Sequence, residues 1–420
     1  PMCISPLAYG DIYNGLWSND YRNGYGSMVY SSGSEYNGNW IDDIKSGEGD
    51  QKYNNGDYYS GNWQNNFKNG MGKMKYNNGN SYEGNWVNDV IEGIGVYKYV
   101  NGDKYDGEWI NGIKNGRGII IYANGTKYIG NWKNDFKNGE GTYTDSLGNK
   151  YVGGFKNDKI HGNGTYTDVD GHRYVGSWKE GLRNGKGTYS FVGQKKKENQ
   201  DDKNLFKKGL RYIGNWENDK FNGQGTFKYL NGDNYEGLWS SDKRHGKGIF
   251  TTVDGSHYDG EWFNDLKHGF GQKEFKNGNS YKGQWADNIM SGSGEMIYKN
   301  GDRYIGDWKR GLKHGKGKYM YTNGEIYDGD WSNDQRAGKG KYNYTDGSSY
   351  KGDWLDNQRS GEGTFNDNNG NTYDGQWIEE QFHGKGTLKY SNGDVFVGQW
   401  IENSRNGFGE MMYVNGDSYK

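Results

Sequence analysis

Residues 304–326 read YIGDWKRGLKHGKGKYMYTNGEI, and the spacing of Tyr304, Gly306, Trp308, Gly315, Gly317 and Gly324 recurs from one end of the chain to the other. Starts fall every 23 residues from Tyr13 to Tyr174, then from Tyr212 to Tyr373, with Phe396 opening the last full unit. All 16 Trp sit four residues after a start, and Phe155 fills the one remaining slot. A chain this periodic is read as an array rather than divided by length into domains.

Within a unit, Tyr-x-Gly-x-Trp alternates with period two, which puts Tyr, Gly and Trp on one face of a β-strand. Gly-x-Gly followed by alternating larger residues opens a second strand, so the rings are expected to lie over glycines across the ribbon. Three residues after each Trp slot stands Gly, Asn or Asp, with Glu380 the exception. Those residue types accept a left-handed backbone and mark a turn. The next connection carries Asn-Gly or Asp-Gly in most units, a hairpin signal. The reading is therefore all-β: an elongated solenoid of tandem 23-residue hairpins forming one long twisted antiparallel sheet, each hairpin advancing it by ~10 Å. Only Pro1 and Pro6 lack a backbone donor, which suits a continuous ladder.

Composition agrees. Gly reaches 74 residues and Tyr 38, while all hydrophobic residues together make 31%, so aromatic rings must supply most of the burial. A single Cys3 excludes an internal disulfide framework and fits a reducing, cytoplasmic setting. The formal net charge of −2 gives no global field drawing nucleic acid or an acidic bilayer. No apolar run is long enough to span a membrane as a helix.

The organisation expected is a non-repeat tail at 1–8, eight repeats over 9–191, a charged insertion at 192–211, and nine repeats with the start of an eighteenth over 212–420. The insertion carries Lys195, Lys196, Lys197, Lys207 and Lys208 among acidic residues, the composition of a solvated loop or of a contact with a partner or an acidic surface.

The pattern YxGxWxxGxxxGxGxxxxxxGxx, nearly complete in residues 304–326, resembles the MORN repeat (membrane occupation and recognition nexus), and the resemblance covers almost the whole chain. It implies an all-β hairpin solenoid. It also implies the roles of that family: cytoskeletal scaffolds near membranes, radial spokes and other axonemal proteins, membrane-anchored junction proteins, and accessory regions of lipid kinases or methyltransferases. With no anchor, kinase or methyltransferase region in the sequence, the scaffolding roles are expected. These are a non-enzymatic protein that binds and spaces cytoskeletal or axonemal partners in the cytoplasm or the cilium, with a homodimer expected because solenoid ends need capping. The alternatives are a peripheral membrane scaffold recognising acidic phospholipid, and a regulatory array of a larger enzyme.

Residues that suggest a site take a plainer meaning once the repeats are aligned. Gly-x-Gly here opens a strand rather than a helix, so a phosphate loop is not expected. His161, His245, His268, His314 and His383 share the slot before the first Gly. Neighbouring repeats lie ~10 Å apart, too far to share a metal, so they read as turn-edge residues. No catalytic constellation, cofactor or metal site is expected. Twelve repeats carry Lys or Arg two residues before the first Gly, including Arg22, Lys45, Lys68, Lys114 and Lys137. Taken alone these form a basic ridge, but Asp in the same loops makes it nearly alternating, which weakens attraction to acidic lipid. The residue after each starting Tyr faces away from the rings and is usually polar. In four successive repeats it becomes Ile129, Val152, Val175 and Ile213, an apolar strip read as a docking strip for a protein partner or as plain β-propensity. The aromatic face is either an open groove or covered by the chain itself.

Overall fold

The computed structural model describes residues 3–6, 10–192 and 209–420. They form two compact units, Pro1–Lys220 and Phe221–Lys420. Among the described residues there is no α-helix, and in each unit strands pair antiparallel with their chain neighbours. The all-β hairpin reading is met. Lys195, Lys196, Lys197, Lys207 and Lys208 lie outside the described residues.

Repeats are built of a seven-residue strand and a nine-residue strand, as in Arg303–Lys309 and Leu312–Met320, except that the strands Gly209–Glu217 and Lys220–Tyr229 have nine and ten residues. The turn between such strands holds two residues with positive φ, for example Asn19 at 51° and Asp20 at 63°, the geometry of a type I′ hairpin. Glu380, the outlier in sequence, adopts the same backbone with φ 71°. Its carboxylate accepts the Arg359 N–H at 2.7 Å, which offsets the strain. The connection to the next repeat is a longer loop. Gly324 N–H donates to Tyr321 O at 3.0 Å and Tyr321 N–H to Glu325 O at 2.9 Å, with only Gly324 left-handed. The Asn-Gly pairs thus build three-residue loops, and the Asn/Asp pairs after Trp build the tightest turns.

The two glycines of Gly-x-Gly do different work. The first, Gly315, has φ 61° at a bulge in the pairing with the strand before it and lies opposite Trp331 of the next repeat. The second, Gly317, faces Gly306 across the pair, and the Tyr304 ring lies over both. Tyr304 Oη then donates to Asp307 O at 2.9 Å, and Trp331 Nε1 donates to Gly317 O at 2.9 Å.

These contacts decide what covers the aromatic face. Tyr304 meets Trp308 and the following Trp331 edge-on, with centroids 5.2 and 5.4 Å apart. Such pairs add ~1 kcal/mol beyond area burial. Tyr304 is 0% exposed and Trp308 5%. The rings of consecutive repeats therefore cover one another, and the aromatic face is a core rather than a groove. Phe155 keeps the stack by meeting Tyr128 and Tyr151 at 5.0 and 5.3 Å.

The expected insertion at 192–211 is shortened at its end. The strand Gly209–Glu217 already includes Gly209, Leu210 and Arg211, and Phe191 N–H donates to Leu210 O at 3.0 Å.

Candidate functional site

The basic ridge of the sequence is folded inward. Arg22, Arg183 and Arg244 hold their guanidinium carbons 4.3, 4.3 and 4.2 Å from the ring centroids of Trp40, Trp216 and Trp262. Their Nε atoms lie 2.6, 2.9 and 3.1 Å from carboxylates of Asp43, Asp219 and Asp265 in the following repeat. The same acids accept the backbone N–H of the three arginines. Each cation thus caps the next tryptophan and clamps two repeats. Burial against the rings pushes Lys45 and Lys267, in the same slot, down to about 8. Apart from the exposed Arg405, the ridge packs into the core, its guanidinium and ammonium groups lying over aromatic rings.

The repeats carry an internal control. Where the cation is replaced by Ile91, Ile160 or Met290, the acid of the next repeat is replaced by Gly112, Gly181 or Gly311. In these cases the turn glycine still donates its N–H to the preceding carbonyl, as Gly112 does to Ile91 O at 2.9 Å. In other repeats the two slots vary separately: Phe221 keeps Asp242, which accepts its N–H at 2.7 Å, and Lys45, Lys267 and Arg336 face Asn66, Asn288 and Asn357. Arg244→Ile and Asp265→Gly are each expected to destabilise. In chemical denaturation the double variant should recover about 1 kcal/mol relative to their sum; additive effects would contradict the clamp.

The opposite, outer face carries the side chains that vary. Its centre is a shallow trough floored by glycine backbone, as at Gly49, Gly61 and Gly72, with Asp50, Ser60 and Lys73 on one wall and Glu48, Asn62 and Met71 on the other. A similar trough runs over Gly375, Gly386 and Gly398 in the second unit. Ile129, Val152, Val175 and Ile213 line this face, 37–46% exposed. They do not touch as a simple row of four. Strand register interleaves them with Thr142, Thr165 and Thr188, and Ile119 extends the row beyond Ile129. The result is eight successive cross-strand positions of β-branched, uncharged residues. The repeated Thr-Tyr-Thr of the second strands, at Thr142–Thr144 and Thr165–Thr167, is the sequence signal for the missing members.

The shared histidine slot falls at the bulge of the second strand, with His314 opposite Asp307. Among the described residues, Nδ1 of His161, His245 and His314 is buried without a hydrogen-bond partner. No group of three or more His, Cys, Asp or Glu in those residues could hold a metal ion.

Seventeen segments match the model of the MORN repeat, from 13–35 through 174–194 and from 212–234 through 396–418. The chain belongs to the MORN-repeat family. A comparison with curated proteins finds no match. Among solved structures, the SAS-4 (dCPAP) TCP domain of Drosophila melanogaster, in complex with a proline-rich motif of Ana2, is 17% identical, with TM-score 0.25, covering 36% of this chain and 82% of that one. The TCP10 domain of Danio rerio CPAP is 9% identical, with TM-score 0.16, covering 69% and 99%. A streptogramin B lyase is 13% identical, with TM-score 0.12, covering 78% and 89%. Similarity this low carries no functional argument, and the MORN repeats stand as the informative result.

Proposed function

We propose that this MORN array is a non-enzymatic scaffold that binds and spaces protein partners in a cytoskeletal assembly, an axonemal one such as a radial spoke in the finer reading. The observation that carries it is a division of labour between the faces. The aromatic face and the turn edges are occupied by contacts that recur in repeat after repeat, whereas the outer face presents side chains that differ from repeat to repeat along a regular ladder. A surface with fixed pitch and variable side chains suits the placing of partners at set intervals. The cytoskeletal and axonemal part rests on the family's roles.

Affinity purification from the source cells, with identification of bound proteins, tests the reading. Stoichiometric cytoskeletal or axonemal proteins are expected. Replacing Ile129, Val152, Val175 and Ile213 by Asn should preserve the fold and reduce capture severalfold. A preparation that binds no protein but floats with phosphoinositide vesicles in a salt-sensitive manner would replace the scaffold with the lipid-recognition alternative.

A further inference from the structure

The first strands of repeats six to nine, all within the first unit, carry one outer-face charge pattern in four successive repeats. They read KYIGNWK, KYVGGFK, RYVGSWK and RYIGNWE, at 127–133, 150–156, 173–179 and 211–217. Strand alternation puts the aliphatic spine and its flanking cations on one face. Lys127, Lys150, Arg173 and Arg211 run along one side, and Lys133, Lys156 and Lys179 along the other.

None of these seven cations has an ion-pair partner among the described residues. Some outer-face cations elsewhere do. Lys52 pairs with Glu35 at 3.6 Å, Lys73 with Glu83 at 3.1 Å, Lys316 with Asp330 at 2.5 Å and Lys339 with Asp353 at 2.6 Å. The neighbouring repeat makes the sharpest comparison. In KYD, Lys104 pairs with Asp106 at 3.5 Å; one repeat later the same slots read Lys127 and Ile129. The internal counter-charges have been replaced by aliphatic side chains over consecutive repeats, in a chain whose net charge is only −2.

From this arrangement we infer that the outer face carrying the first strands of repeats six to nine, all within the first unit, docks an acidic amphipathic α-helix of a partner protein, laid across the strands along the aliphatic spine. The inference rests on the scaffold reading and names the chemistry of one partner. Successive spine residues are two strands, ~9.6 Å, apart. Seven residues of α-helix rise ~10.5 Å, so apolar residues seven apart keep pace with the spine. Three steps from Ile129 to Ile213 span ~29 Å, the length of about 20 helical residues. The two cation rows lie six residues apart on each strand, ~20 Å, which brackets a helix ~10–12 Å wide and leaves the long side chains to reach acids on its flanks. Single-stranded nucleic acid fits less well, because the spine is aliphatic and gives bases no aromatic platform.

The test uses the full chain and labelled synthetic peptides of about 20 residues. One has Leu at the first and fourth positions of each heptad with Glu flanks, one has the same pattern with Lys flanks, and one is a scramble of the Glu peptide. Fluorescence anisotropy should show binding of the Glu peptide that weakens with salt, at least tenfold tighter than either control. Lys127→Glu with Lys150→Glu and Arg173→Glu should weaken it tenfold or more and confer binding of the Lys peptide, a gain that misfolding would not produce. Lys52→Glu with Lys316→Glu and Lys339→Glu changes charge equally elsewhere and should leave binding within twofold. The inference is overturned if the Glu peptide fails to bind, if the scramble binds equally, or if the first triple variant behaves like the second. It is also overturned if phosphatidylserine vesicles or a single-stranded oligonucleotide bind this face more tightly than the Glu peptide. Undiminished capture of cellular proteins by the first triple variant would remove this docking site while leaving the scaffold reading in place.

Discussion

Gly317→Ala is expected to destabilise the second unit by about 3 kcal/mol or more, the upper end for overpacking a filled core. An added Cβ would fall inside the contact distance of Tyr304 Oη and its ring, and Tyr304 has no vacant space to move into because it is 0% exposed. Displacing the ring would also break its hydrogen bond to Asp307 O and its edge contact with Trp331, coupling the damage to the next repeat. Gly347→Ala is the matched control. That glycine has φ 90°, and a Cβ added there would meet nothing within 4 Å, so the substitution should lose only about 1–2 kcal/mol of backbone strain. Urea denaturation of both variants separates the two effects, and equal losses would refute the account of Gly317 as the seat of the ring.

The second large effect is alkaline. Burial raises the phenols of the starting tyrosines, Tyr174 and Tyr373 to about 12 and others such as Tyr59 and Tyr82 further. Unfolded tyrosine ionises near 10. Above that pH the unfolded chain holds fewer protons than the folded one, so stability falls as pH rises, by ~1.4 kcal/mol per pH unit for each tyrosine in its window. Lys45 and Lys267 act in the opposite sense lower down. Their folded values of about 8 lie below the unfolded value, so the unfolded state holds more protons between roughly pH 8 and 10 and stability climbs there. The expected profile rises gently to about pH 10 and then collapses. Tyrosinate absorbance and loss of tryptophan fluorescence should appear in one step; gradual tyrosine titration in a still-folded chain would contradict the buried-ring core.

The contrast between the faces explains what is legible in the sequence. Tyr304, Gly306 and Trp308 announce their strand because period two is a property of the backbone itself, and Gly317 announces the ring above it because no other residue leaves the space. The tight turns are visible in Asn19, Asp20 and their counterparts for the same reason. The basic ridge is where linear reading goes wrong. Position in a loop resembles exposure in a linear sequence, and only the next repeat's Trp262 shows that Arg244 is stacked. Comparing Ile91 with Gly112, or Met290 with Gly311, offers a partial signal in the sequence, because there the cation and the acid are lost together, whereas Phe221 keeps Asp242. The first glycine, Gly315, reads as a ring-packing position although its left-handed backbone serves a bulge. That distinction depends on cross-strand register, which composition does not carry. The strip from Ile129 to Ile213 shows at half its density in the sequence, because its threonines lie on strands that are adjacent in space and far apart in the pattern being counted.

The clamp from Arg183 to Asp219 spans 36 residues, whereas that from Arg244 to Asp265 spans 21, yet the two close at 2.9 and 3.1 Å. The register of these neighbouring hairpins is therefore set by the clamp and the strand pairing, and it closes alike whether the clamped residues lie 21 or 36 apart in the sequence. For an engineer, the sequence between Val192 and Gly209 is thus the place where a change of length is expected to be tolerated, because the clamp from Arg183 to Asp219 closes there as it does where the intervening sequence is shorter.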